Sequence, residues 1–152
     1  MIVVAFGSNL GDRDTAIREA AGKVAALLTN FRLSQIVETR PVGAGLENDP
    51  PYLNAVGVGE STRSPRELFE QLRTIEEAAG RMRSYLGAPR TLDLDLILVG
   101  DQVFDEADLQ IPHPRFRDRR FVLEPLAELE PNLCDPVTQL TIRSLLSRLP
   151  VI

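Results

Sequence analysis

Leu92-Asp93-Leu94-Asp95-Leu96-Ile97-Leu98-Val99 is the stretch on which the fold turns. Its alternation predicts a β-strand over 92–99. Leu92, Leu94, Leu96 and Leu98 fall on one face, toward a core. Asp93 and Asp95 share the other face, about 6.6 Å apart along the chain. Ile97 and Val99 continue that face as apolar residues. The two carboxylates therefore sit where the strand begins, and its far end is covered on both sides.

Outward from this strand the pattern alternates between strand and helix. Residues 2–6 are β-rich and end in the turn cluster Gly7-Ser8-Asn9-Leu10-Gly11. Asp12 or Asp14 caps a helix along which Ile17, Ala20, Ala21, Val24, Ala25 and Leu28 recur. Residues 31–38 read as a second strand, Pro41–Pro51 as a long loop and 52–59 as a strand. Ser64-Pro65-Arg66-Glu67 starts a helix with cap, first-turn proline and capping-box glutamate. That helix runs to about Gly80, with Leu68, Leu72, Ile75 and Ala79 on one stripe. Residues 81–91 form a second, arginine-rich loop. After 92–99, Gly100-Asp101 reads as a hairpin turn into Val103-Phe104. Residues 112–120 are irregular, and helices follow at 121–129 and at 141–149, the latter capped by Thr141. This order predicts an α+β fold, a ferredoxin-like α/β sandwich with an antiparallel central sheet and helices packed on it.

Composition narrows the class. The 152 residues are 43% hydrophobic, 26% charged and 5% aromatic, without tryptophan. They read as one globular domain, 1–152, with a core of Leu, Val, Ile and Ala. The net charge of −5 argues against a nucleic-acid coat. Cys134 is the only cysteine, so no intrachain disulfide forms, and a reducing, cytoplasmic location is expected. No apolar run approaches the ~18 residues of a membrane span. Of 17 basic residues only Lys23 is a lysine, and seven arginines lie between Arg81 and Arg120.

Two carboxylates held this close repel each other unless a cation lies beside them. Hard oxygen ligands in low number suit Mg²⁺ that keeps waters and shares substrate phosphates. Alone, the pair reads more simply as a half-solvated strand. Arg81, Arg83 and Arg90, within about a dozen residues upstream, favour a metal–polyphosphate site over surface ion pairs with Glu76 and Glu77. His113, the only histidine, stands between Pro112 and Pro114 and just before four arginines. Both its nitrogens could donate to a phosphate, and no second His or Cys is at hand for a structural zinc. Tyr52 and Asn54 share a strand face with Val56 and Val58. They offer a stacking ring and a donor–acceptor pair to a flat heterocycle, or else a tyrosine at a sheet edge with a structural asparagine. There is no nucleophilic triad and no Walker A lysine.

Ala88-Pro89-Arg90-Thr91-Leu92-Asp93-Leu94-Asp95-Leu96-Ile97 resembles the signature of the 6-hydroxymethyl-7,8-dihydropterin pyrophosphokinase family. Phe6–Gly11, Thr39–Gly43, Tyr52–Ala55, Ile75-Glu76, Gly80–Arg83, Ile111–Pro114 and Arg119–Leu123 resemble its other motifs, in its order and over nearly the whole chain. The resemblance implies transfer of the β,γ-diphosphate of ATP to the pterin hydroxymethyl group, releasing AMP, in folate biosynthesis. It implies that Asp93 and Asp95 ligate two Mg²⁺ ions, with Asp93 also near the pterin hydroxyl. Arg81, Arg83, Arg90 and Arg119 would contact ATP phosphates, and Arg81 and Arg90 would also steady the transition state. His113 would contact the triphosphate and Glu76 the nucleotide. The pterin would stack between Tyr52 and Phe121, with Thr39, Val42 and Asn54 making its polar and backbone contacts.

The partners implied are small molecules, with no nucleic acid and no membrane, and the chain would be a monomer. The loop between Arg83 and Arg90 departs from the family. It is one residue shorter, and Leu86 and Gly87 replace the usual basic residue and tryptophan. Tyr85 is the one aromatic left there. Pro114 stands where some members carry tyrosine. Two other classes compete: a non-catalytic domain binding a nucleotide or RNA end through its arginines, and a metal enzyme acting on a nucleotide sugar.

Overall fold

A computed structural model describes residues 1–9, 12–39, 51–80 and 92–150. The main elements are β1 (Ile2–Ser8), α1 (Arg13–Ala25), β2 (Thr29–Leu33), β3 (Val37–Thr39), β4 (Tyr52–Glu60), α2 (Pro65–Gly80) and β5 (Asp93–Val99). They are followed by β6 (Phe104–Glu106), β7 (Leu109–Ile111), a 3₁₀ turn (Phe116–Asp118), α3 (Arg120–Leu129) and α4 (Ile142–Ser147).

The helix starts follow their caps. Asp12 Oδ1 accepts from the Thr15 N–H at 3.2 Å and opens α1. Ser64 Oγ accepts from the Glu67 N–H at 3.2 Å and opens α2. Glu67 answers through the Ser64 hydroxyl, 3.4 Å from Oε1. Thr141 Oγ1 accepts from the Ser144 N–H at 3.1 Å and opens α4. Each cap satisfies an orphan donor of the first turn.

The central sheet is antiparallel, ordered β2-β4-β1-β5, with β3 also on β4. Ile2, Val4, Phe6, Leu94 and Leu96 face α1 and α2, burying Ile17, Val24, Leu68 and Leu72. Val3, Ala5, Val56 and Val58 face α3 and α4, burying Val122, Leu123, Leu126 and Ile142. The sheet is thus a mixed α/β layer with helices on both faces. Two phenylalanines, Phe6 and Phe116, are among the largest fully buried side chains, alongside the expected aliphatic ones.

Four local expectations are corrected. The strand expected at 31–38 is two strands. Ser34 breaks it: its N–H donates to Val56 O at 2.8 Å, and its Oγ accepts from the Val56 N–H at 2.9 Å. A side-chain oxygen has taken a backbone carbonyl's place in the ladder. Next, Leu98 does not follow Leu94 and Leu96. The β1–β5 register runs Val4↔Leu96 and then Val3↔Leu98, so a bulge at Ile97 inserts one residue. Past it, Leu98 joins Ile97 in the α3/α4 core, and Val99 faces α1/α2.

Finally, the turn at Gly100, whose φ is 57°, does not return the chain onto β5. Residues 104–106 pair instead with 109–111 in a separate two-stranded sheet. Leu109 and Ile111 are 5% and 1% exposed, and their burial in the α1/α2 core seats that hairpin. The last helix is also shorter than 141–149, ending at Ser147.

Candidate active site

Strand register builds the floor. Gly7 pairs with Asn54 on one side and Asp93 on the other. Ala5 pairs with Val56 and Asp95 in the next row. Asn54 and Asp93 thus lie in one row across three strands, about 9.6 Å apart at their backbones, with only a glycine between them. Tyr52, Asn54, Asp93 and Asp95 all belong to the face that carries α3 and α4. The sequence brings them together because each stands an even number of residues from its neighbour on its strand.

Asn54 is 6% exposed, and its orientation is fixed. Its Nδ2 donates to Thr39 Oγ1 at 2.7 Å across the β3–β4 pair. Its carbonyl oxygen turns toward Gly7, where an added Cβ would stand 3.5 Å from Oδ1. The row thus presents a hydrogen-bond acceptor over a bare backbone.

The segment after β7 supplies the opposite wall. Arg119 Nη1 lies 3.7 Å from Asp95 Oδ2, and the same guanidinium sits 5.6 Å from the Phe121 ring centroid. Phe121 is 36% exposed in the first turn of α3, which packs on β3 and β4. His113 is half-buried. Its backbone N–H donates to Ile97 O at 2.9 Å, and its ring Nδ1 accepts from the Arg115 backbone N–H at 3.2 Å.

Nδ1 is therefore an acceptor, which corrects the expectation that both ring nitrogens donate. Only Nε2 offers a hydrogen outward. Burial lowers the imidazole pKa, the Arg119 and Arg115 charges lower it further, and Asp95 opposes them. The ring is accordingly a neutral donor near pH 7.

Beyond Asp95 and His113 a cavity of about 260 Å³ opens along the outer edge of β5. Phe69 of α2 and Asp108 and Gln110 of the β6–β7 hairpin line it. Arg66 clamps its wall. The guanidinium reaches Asp108 through Nη1 at 2.9 Å and Nη2 at 3.1 Å and pairs with Glu106. It also lies 5.7 Å from both the Phe69 and Phe104 rings. Sequence reasoning missed these lining residues. The signal was a three-residue alternation, 109–111, too short to be read as a strand.

Asp93 is exposed and Asp95 half-exposed. Among the described residues no three His, Cys, Asp or Glu side chains gather to enclose a metal. Two adjacent carboxylates suit a hard cation that takes its remaining ligands from phosphate and water, and Arg119 approaches Asp95 too loosely to fill its oxygens. The donor set thus fits Mg²⁺. Glu76 is half-buried on α2, in the helix layer against the other face of the sheet. Arg81, Arg83, Arg90 and Val42 lie outside the described residues.

The family model for 7,8-dihydro-6-hydroxymethylpterin-pyrophosphokinase matches residues 3–131. This chain belongs to that family. It is 40% identical over 128 residues to the 2-amino-4-hydroxy-6-hydroxymethyldihydropteridine pyrophosphokinase of Bacillus subtilis (strain 168), covering 83% of this chain and 75% of that protein. It is 32% identical over 136 residues to the pyrophosphokinase of the same name from Aquifex aeolicus, covering 90% and 84%.

The folic acid synthesis protein fol1 of Schizosaccharomyces pombe is 34% identical over 149 residues, and this chain spans 20% of its length. A crystal structure of a Plasmodium falciparum HPPK-DHPS triple mutant superposes with a TM-score of 0.73 at 16% identity, over 97% of this chain and 44% of that one. That likeness establishes the shared α/β fold with its antiparallel sheet. Among the described residues no helix is long and apolar enough to cross a membrane.

Proposed function

We propose that this pyrophosphokinase-family chain transfers the β,γ-diphosphate of ATP to the hydroxymethyl group of 6-hydroxymethyl-7,8-dihydropterin. The products are AMP and the pterin diphosphate, in folate biosynthesis. The observation that carries the reading is the row Asn54–Gly7–Asp93, with Asp95 and Arg119 beside it. A flat heterocycle laid over Gly7 meets the Asn54 carbonyl oxygen along one edge. Its hydroxymethyl end reaches Asp93. Tyr52 and Phe121 are the rings that would sandwich it, with Thr39 and Val42 completing its polar and backbone contacts.

The pterin alcohol oxygen attacks the β-phosphorus, the bond from that phosphorus to the AMP oxygen breaks, and the alcohol proton is lost. No protein nucleophile is needed, because phosphoryl transfer rests on positioning and electrostatics. Asp93 and Asp95 would hold two Mg²⁺ ions, which offset the charge of the transferring and leaving phosphates. Arg119 and the His113 Nε2–H would contact the triphosphate beside Asp95. Arg81, Arg83 and Arg90 would grip it from the loop, with Arg81 and Arg90 steadying the transition state. The cavity under the β6–β7 hairpin would take the nucleoside end, and Glu76 would act from the nucleotide side.

The strand order supports the ferredoxin-like topology, since β1-α1-β2 and β4-α2-β5 interleave as β2-β4-β1-β5. Residues 1–152 would act as one domain and a cytoplasmic monomer. The test is metal removal. Chelator-treated protein should be inactive with ATP and pterin, and excess Mg²⁺ should restore turnover. Asp95→Asn should stay folded, lose at least a hundredfold in kcat and resist rescue by Mg²⁺. Near-normal activity in that variant contradicts the metal assignment.

A further inference from the structure

The segment 112–121 carries three site residues on little regular structure. Its backbone bonds are mostly short-range: Phe116 N–H to His113 O at 3.3 Å, Asp118 N–H to Arg115 O at 3.1 Å, and Arg119 N–H to Phe116 O at 3.2 Å. His113 leads into the 3₁₀ turn Phe116–Asp118, and Arg119 and Phe121 leave it. The side chain at the middle of that turn, Arg117, pairs with a residue 18 positions on.

That partner is Asp135, in the connection between α3 and α4, and its side chain is 0% exposed. All four acceptor positions of its carboxylate are filled from the protein. Oδ2 accepts from Arg117 Nε at 2.5 Å and Thr138 Oγ1 at 2.7 Å. Oδ1 accepts from Arg117 Nη2 at 2.9 Å and the Val137 N–H at 3.0 Å. The Arg117 guanidinium also lies 4.9 Å from the Phe116 ring centroid, and Phe116 is fully buried. A carboxylate so saturated has no lone pair left for a metal or a substrate. A bidentate guanidinium–carboxylate pair does fix direction as well as distance. It ties the α3–α4 connection to the turn that lies between His113 and Arg119.

We propose that Asp135 is a positioning residue of the active site. Acting through Arg117, it sets the 3₁₀ turn from whose end Arg119 reaches the polyphosphate. The proposal rests on the reading of Arg119 as a phosphate contact. Asp135→Asn keeps the shape and the Val137 contact and removes the charge that orients the fork. Its Arg117 partner is 24% exposed and can relax toward water.

The test is a double-mutant cycle on MgATP affinity and turnover with Asp135→Asn and Arg119→Ala. Displacement of a gripping side chain by a fraction of an ångström predicts that Asp135→Asn alone loses about tenfold or more in kcat/KM for MgATP. In the Arg119→Ala background the same substitution should cost less than threefold, because what it positions is already gone. Arg117→Lys, which keeps the charge without the fork, should reproduce most of the loss while remaining folded. Ile142→Val provides a comparison of lowered stability, and its kcat/KM should stay within twofold of wild type.

Full additivity of Asp135→Asn and Arg119→Ala overturns the proposal, as does Asp135→Asn with unchanged kcat/KM. If Arg119→Ala itself leaves MgATP affinity and turnover unchanged, the phosphate reading of the segment fails instead.

Discussion

Gly7→Ala separates the site from the fold. Gly7 lies inside β1, and a Cβ built there would meet its nearest neighbour, Asn54 Oδ1, at 3.5 Å, an ordinary contact. The folded chain should accept the methyl group. Loss of glycine's freedom in the unfolded chain should raise stability by about 0.4–1 kcal/mol, or about 1–4 °C in Tm. The methyl stands in the only gap of the Asn54–Gly7–Asp93 row. It rises about 1.5 Å from the backbone and would lift a flat ring by a similar distance. A hydrogen bond of about 2.9 Å to Asn54 Oδ1 would then lengthen to about 3.3 Å and bend by almost 30°, outside the range of about 2.7–3.2 Å for such bonds.

Leaving a buried acceptor unpaired costs about 1–3 kcal/mol. The dissociation constant of the pterin should therefore rise by about fivefold to a hundredfold. Calorimetric titration of the pterin, beside urea unfolding of the same G7A preparation, reads both effects. Unchanged pterin affinity in a normally stable variant would refute the placement of the heterocycle over Gly7.

Other expectations follow from single contacts. Tyr52→Ala should weaken pterin binding at least tenfold and MgATP binding less than twofold, in parallel titrations; equal losses for both would contradict a stacking role. Burial pulls the Asp135 carboxyl up, but the bonds from Arg117, Thr138 and Val137 outweigh it and hold the group below the usual carboxylate range. Its stabilisation is therefore fully present above the unfolded value of about 3.9 and is lost as pH falls through the lower folded value. Asp135→Asn should cost about 3 kcal/mol at pH 7. It should also flatten the fall in unfolding free energy between about pH 5 and pH 2, and an unchanged pH slope in urea melts would contradict this.

Much of the fold and of the site could be read from local chemistry. Ser64 and Thr141 marked helix starts, and Asp12 or Asp14 a third that Asp12 makes, because a capping side chain acts within three residues. Asp93, Asp95, Tyr52 and Asn54 could be placed on faces because strand alternation is local. Long-range partners decided the rest. The Ile97 bulge depends on β1 as neighbour, and nothing in Leu96-Ile97-Leu98 encodes it. Ser34 looks like one more strand residue until Val56 is opposite it. The β6–β7 hairpin pairs with itself because Leu109 and Ile111 find the α1/α2 core. Arg117 read only as one of four arginines that follow His113, and its partner Asp135 is 18 residues away.

The most direct measurement is the nucleotide product. Purified protein is incubated with MgATP and 6-hydroxymethyl-7,8-dihydropterin, and the nucleotides and pterins are separated over time. AMP appearing in one-to-one step with a pterin diphosphate is the predicted result. ADP with a pterin monophosphate, or ADP released without any pterin product, would contradict the diphosphate transfer at the centre of this account.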